Sequence, residues 1–182
     1  VPARWARTPC SGPMADVAAL RNRIDALARA YPPGQHGRWL ARERADALDT
    51  WFVDAAGELP DGVALVALGG YGRRLQLPAS DVDVLIVHDG LDEATLAALG
   101  ERLWYPLWDD GWTVTPLVRT PAACLEAARE RLDSRTALLD ARLLAGSPSL
   151  LAGAVDPVVA GVREDPAALA DALSVDRERR RE

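Results

Sequence analysis

Two kinds of apolar spacing divide this chain. Between Ala15 and Ala30, Val17, Leu20, Ile24 and Leu27 recur every three or four positions, with Arg21, Arg23 and Asp25 turned away from them. That period predicts an amphipathic helix. Tyr31-Pro32-Pro33-Gly34 breaks it, and a second helix is expected from about Gly37 to Glu58 with Leu40, Leu48, Trp51 and Phe52 as its buried stripe. Arg38, Arg42 and Arg44 are interspersed with Glu43, Asp46 and Asp49, the mixture of a solvated face more than of a phosphate patch. After the turn Leu59-Pro60-Asp61-Gly62 the spacing changes. Val63 to Leu68 is an unbroken apolar run, as expected of a strand covered on both faces, and a second strand starts near Asp81 and continues to Val87.

Beyond the turn His88-Asp89-Gly90, helical spacing predicts one helix from about Asp92 to Trp108. Trp104, Tyr105 and Trp108 fall on it as core residues more readily than as a platform for a nucleotide base. Trp112 to Arg119 reads as a third strand, with Pro116 marking an edge or a bulge. Thr120-Pro121 supplies an N-cap and a first-turn proline for a helix expected to run to Ala145, where Gly146 ends it. Val155 to Ala172 is expected as one or two short helices interrupted by Pro157 and Pro166, followed by a charged, solvated helix end from Asp176 to Glu182.

The chemistry sits between the first two strands. Leu68-Gly69-Gly70-Tyr71-Gly72-Arg73 is followed, ten residues after Gly70, by Ser80-Asp81-Val82-Asp83. Glycines at the end of a buried strand let phosphate oxygens approach main-chain N–H groups. Alternation along a strand puts Asp81 and Asp83 on one face, where two carboxylates repel unless a cation lies between them. Oxygen-only ligands favour a hard ion, and Mg²⁺ carrying a triphosphate suits them. An Asp-x-Asp step or a Gly-Gly pair alone carries little weight; their combination at this spacing between two apolar strands carries much more. A Walker loop needs a terminal Lys-Ser/Thr, and the dinucleotide fingerprint needs a glycine where Leu75 stands.

This pattern resembles the DNA polymerase β-like nucleotidyltransferase superfamily. Within it the chain is similar to the N-terminal transferase domain of the bifunctional uridylyltransferase/uridylyl-removing enzymes that act on the PII nitrogen-signalling protein. Val66 to Arg73 with Pro78 to Leu85, Leu103 to Gly111, and Val118-Arg119-Thr120 with Thr136 to Gly146 carry the likeness, over roughly residues 60 to 150. The resemblance implies an α+β fold: a small mixed sheet with flanking helices, plus N- and C-terminal helices. It also implies that Asp81 and Asp83 are the catalytic, metal-holding carboxylates, and that Gly69, Gly70, Arg73 and Ser80 contact the triphosphate. UTP or ATP would supply the nucleotide, Mg²⁺ the metal, and a PII tyrosine the acceptor hydroxyl. Arg119, Arg135 and Arg142 could also reach phosphates, Arg142 being the best placed in the family-like block. Two departures stand out. Leu75-Gln76-Leu77 reverses the usual polarity after the turn, and Thr115-Pro116-Leu117 stands where relatives carry Gly-His-Ser or Asp-His-Ser. Trp112 to Thr120 therefore lacks the third carboxylate of many superfamily members, and Asp109 and Asp110 read as a turn before Gly111 more readily than as its substitute. A non-catalytic module that binds nucleotide or protein remains the rival to an active transferase.

Composition narrows the rest. Apolar residues make up 49% and charged residues 26%, as in ordinary globular proteins, and the net charge of −6 argues against a broad nucleic-acid surface. All 21 basic residues are Arg, so no lysine in this chain can act in catalysis. Cys10 and Cys124 suggest neither a disulfide framework nor a zinc site, only a reduced core thiol at Cys124. No run has membrane-span length, and no signal peptide is evident, so a cytoplasmic location is expected. The expected organisation is a disordered leader over 1–14, with Met14 an alternative start, N-terminal helices over 15–58, a transferase core over 59–147 and a helical extension over 148–182. Only His36 and His88 occur, too few for a His-Asp hydrolase, so the hydrolase and sensor domains of full-length relatives are expected to be absent from this stretch. His88 invites a general-base role that its turn context disfavours.

Overall fold

The computed structural model describes residues 15–31 and 37–181; the expected leader, Cys10, Met14 and His36 lie outside them. Helix α1 (Val17–Arg29) is capped by Asp16, whose side chain accepts the Ala19 N–H at 3.0 Å, and it buries Leu20 and Ile24. Helix α2 (Gly37–Ala56) follows, with Leu48, Trp51 and Phe52 buried as expected. Arg44 departs from the solvated-face reading. It is only 8% exposed, and burial pushes its guanidinium below the usual range, whereas Arg42 stays exposed.

Four strands form one sheet in the order β3-β2-β1-β4: β1 Val63–Ala67, β2 Val82–His88, β3 Val114–Arg119 and β4 Arg142–Gly146. β1 pairs antiparallel with β2 and β4, while β2 and β3 run parallel. The sheet is mixed, as the α+β reading requires. Every residue of β1 is buried, the expected outcome for a central strand with helices on both faces. Val63, Leu65 and Ala67 join Val82, Val84 and Ile86 in a core under α1, α2 and helix α4 (Glu93–Leu103). Ala64, Val66, Leu68, Leu85 and Val87 face the opposite core, under α6 (Pro121–Glu130), α7 (Leu132–Leu139) and α8 (Pro148–Glu164). Period-two alternation therefore places Asp83 on the α6–α8 side of the sheet, beyond Leu85 and Val87.

Three expected elements differ. The single helix over 92–108 is two: α4 ends at Trp104, which leaves helical geometry at φ −134°, and α5 (Tyr105–Asp109) begins with Pro106 in its first turn. A continuous helix would drive the Pro106 ring into the carbonyl one turn back. Trp104 is core at 7% exposed, but Tyr105 and Trp108 are exposed and stack on each other with ring centres 5.4 Å apart. The helix expected from Thr120 to Ala145 is two helices and then β4, broken at Arg131, which is extended. Leu138-Leu139 and Leu143-Leu144 suit either period, and β4 arises because the free edge of β1 needs partners for its backbone groups. Pro157 lies inside α8 without ending it; the flanking Ala154 and Val158 are buried, and that packing outweighs one lost hydrogen bond. Helix α9 (Pro166–Arg179) completes the chain and has no buried residue.

Candidate active site

Between β1 and β2 the chain makes one helical turn, α3 (Gly69–Gly72), not an open loop. Its first N–H groups have no acceptor within the helix and so face outward as donors. Gly69 has φ +54°, and a Cβ there would stand 3.2 Å from the Asp83 Oδ2, so the glycine both permits the left-handed entry and leaves the carboxylate room. A Cβ on Gly72 would overlap the Asp140 carbonyl oxygen. The main chain of Asp83 accepts the Leu68 N–H at 3.0 Å, which fastens the end of β1 beside it.

Asp83 is half-buried on β2; Asp81 is exposed and lies one residue before the strand starts, so the pair straddles the strand's first residue. Burial, and then the Asp81 charge, push the Asp83 carboxyl above the usual range. Among the described residues no ion pair reaches either carboxylate. On the far side of Asp83, the residue in register on β3 is Thr115, and its side chain is a hydroxyl. No group of three or more His, Cys, Asp or Glu able to hold a metal occurs among the described residues. What the turn and strand do present is two repelling carboxylates beside a donor-lined glycine turn.

Residues 50–138 match the nucleotidyltransferase domain family. This stretch of the chain belongs to that family. Bifunctional uridylyltransferase/uridylyl-removing enzymes are among its relatives: the one from Streptomyces coelicolor is 41% identical over 156 residues, covering 84% of this chain and 18% of the relative. The one from Mycobacterium tuberculosis strain CDC 1551 is 36% identical over 159 residues, covering 84% and 19%. The chain thus spans less than a fifth of those relatives' length. A solved chain from a crystal structure of a toxin–antitoxin with AMP-PNP overlays at a TM-score of 0.39 and 17% identity, covering 69% of this chain and 98% of that one.

In this transferase domain the arginines expected near phosphate have other partners. Arg73 pairs with the Asp140 carboxylate and remains half exposed. Arg142 holds both oxygens of Asp49 at 2.7 and 2.9 Å, donates to the Gly72 carbonyl at 3.1 Å and the Tyr71 carbonyl at 3.3 Å, and lies 5.5 Å from the Tyr71 ring centre. It is a clamp joining α2, α3 and β4. Burial and then the Asp49 charge raise the Tyr71 phenol well above its usual range. Arg135 donates to the Ala128 carbonyl at 2.9 Å and so caps α6, and Arg119 ends β3 in register with Val87, at the other end of the strands from Asp83. Asp110 accepts from Arg21 at 2.9 Å and from the Trp112 indole at 3.0 Å, a structural tie that fits its reading as a turn residue.

Ser80 is exposed beside Asp81, and its N–H donates to the Leu77 carbonyl at 3.1 Å. His88 is the last residue of β2, paired with Val63, and not beyond the strand; its Nδ1 accepts the Leu91 N–H at 3.2 Å. It stands at the other end of the strand from Asp83, five residues or about 17 Å away at strand rise. Sequence reasoning missed Asp49, read only as a surface charge, and Gln76, read only as a reversed polarity. Nothing local marks either one, because their partners lie far along the chain or on backbone carbonyls.

Proposed function

We propose that this domain transfers UMP or AMP from UTP or ATP to a tyrosine of a PII-type protein, releasing pyrophosphate, in the cytoplasm. The observation that carries the reading is the Asp81/Asp83 pair beside the left-handed Gly69 turn, in a chain related to uridylyltransferases. The residues fit a divalent cation: burial and then the Asp81 charge raise the Asp83 carboxyl, a cation would offset that neighbouring charge, and the donor set is oxygen only. Asp81 and Asp83 would hold Mg²⁺, which when bound neutralises charge on the phosphoryl oxygens and draws the triphosphate to the site. The N–H groups of Gly69 and Gly70 and the Ser80 side chain would orient that triphosphate, and Arg73 would exchange Asp140 for phosphate. The acceptor oxygen then bonds to the α-phosphorus as the bond to the bridging β-phosphate oxygen breaks; pyrophosphate carries away the electron pair and the hydroxyl proton passes to solvent. The domain's task is positioning, with the PII surface bringing the hydroxyl in line. No described helix is long and apolar enough to cross a membrane.

Thr115, in register with Asp83, favours a second reading. With a hydroxyl where a third carboxylate could stand, the domain could bind metal and nucleotide without turnover. Calorimetry with Mg-UTP and Mg-ATP, followed by incubation with labelled nucleotide and PII, separates the two. Label on PII supports transfer; Mg-dependent binding without label supports the binding module; absence of binding sinks both.

A further inference from the structure

Gln76 is completely buried, although the segment that follows it, from Leu77 to Asp81, is exposed. Its amide nitrogen donates to the carbonyl oxygens of Ser80 at 2.8 Å and Asp81 at 3.2 Å, and its backbone N–H donates to the Ala41 carbonyl of α2 at 3.3 Å. Its Oε1 is buried with no hydrogen-bond partner. A buried amide oxygen left unpaired is costly, and an apolar side chain of this length would fill the same space without that cost. The orphaned oxygen offsets much of what the two hydrogen bonds contribute, so net stability is a weak reason for an amide here. What the amide does is hold the two carbonyls immediately before β2.

Those two carbonyls belong to the residues that carry Ser80 and Asp81 to the site. Besides the Gln76 contacts, the Ser80 N–H to Leu77 bond is the internal tie in this loop, and the like charge of Asp83 pushes Asp81 away. We propose that Gln76 is a positioning residue: it anchors the Ser80–Asp81 backbone to α2 so that the Asp81 carboxylate stays beside Asp83 against their repulsion, preformed for a divalent cation. The role rests on the reading of Asp81 and Asp83 as a metal site. With the anchor, a cation meets two carboxylates already together; without it, binding must also order the loop.

The test uses the whole chain with Gln76→Met, which keeps the volume and removes the donors, and Gln76→Glu, which opposes the two carbonyls when ionised and keeps one donor when protonated. Mn²⁺ affinity is read from the free-ion signal in electron paramagnetic resonance, and thermal unfolding is followed separately in EDTA. Gln76→Met is expected to weaken Mn²⁺ binding about tenfold, in the range for residues that orient metal ligands, while its unfolding in EDTA stays within a few degrees of wild type. Gln76→Glu is expected to show a deficit at neutral pH as well. Either folded variant binding Mn²⁺ within twofold of wild type at neutral pH overturns the role, as does a drop in unfolding temperature with no change in affinity. Asp83→Ala in the same assay separates the two levels. If it too keeps wild-type affinity, the metal site itself is overturned; if it loses affinity while Gln76→Met does not, only the role of Gln76 falls.

Discussion

Charges meet the short helix α3 on two sides, and they are handled in opposite ways. On one side Arg142 is closed off: both Asp49 oxygens, the Tyr71 and Gly72 carbonyls and the face of the Tyr71 ring surround it, and its side chain is 25% exposed. On the other side Asp83 has a like charge for a neighbour, a glycine in place of a side chain and a raised carboxyl. A fold that compensates one charged group so fully and leaves another in repulsion is storing an unfavourable term where a ligand can relieve it. The closed side is structure; the open side is the candidate site.

The sharpest way to break this contrast is to remove the open side. Asp83→Ala should weaken Mg-dependent nucleotide binding by roughly a hundredfold, about 2.7 kcal/mol, measured by calorimetry with and without Mg²⁺. A loss equal in both conditions would mean that the carboxylate acts on the fold and not on a cation.

Removing the closed side should act on stability instead. Arg142→Met gives up a paired, charge-assisted set of hydrogen bonds and should cost about 2 kcal/mol, or a fall of about 6 °C in unfolding temperature for a chain of this size. Asp49 keeps a second contact to Arg74 at 3.3 Å, so Asp49→Asn combined with Arg142→Met should cost less than the sum of the single changes. Additivity in the double-mutant cycle would show that the clamp is not a unit.

Gly69→Ala probes the border between the two sides. The substitution forces a Cβ into a left-handed residue, costing about 1 kcal/mol, or about 3 °C. It also places that Cβ 3.2 Å from the Asp83 Oδ2. Thermal unfolding and Mn²⁺ affinity should fall together, and a stability loss with unchanged affinity would separate the turn from the carboxylate.

These residues also show how far the sequence could be read. The open side was legible because its signal is local: an apolar strand, glycines at its end and carboxylates two residues apart identify the turn and the face without knowledge of anything distant. Strands β1, β2 and β3 were legible for the same reason, while their mixed arrangement was what the family resemblance implied. The closed side was not, since Arg142 and Asp49 are 93 positions apart and β4 exists only through its pairing with β1. Apolar pairs such as Leu143-Leu144 have no period of their own, and the tertiary partner chose strand over helix. Gln76 was hidden in another way: an amide between two leucines gives no sign that its partners are main-chain carbonyls. Arg44 was misplaced because mixed charges near it suggested solvent, while the packing of α2 buried it.

The smallest effect runs in the opposite direction and tests the contrast most directly. In the metal-free protein the Asp83 carboxyl is raised, so the folded state holds that proton more tightly than the unfolded state does. Ionising it therefore costs stability above the raised value, and that cost disappears as pH falls toward the unfolded value of about 3.9. Asp83→Asn removes the charge and keeps the shape. At neutral pH in EDTA it should unfold about 2 °C above wild type, and the gap should close as the buffer is taken down through the raised carboxyl value to the unfolded one. Adding Mg²⁺ should reverse the order, because only wild type gains from the cation. A variant less stable than wild type in EDTA at every pH would mean that Asp83 is compensated within the fold, and the two sides of α3 would no longer differ in kind.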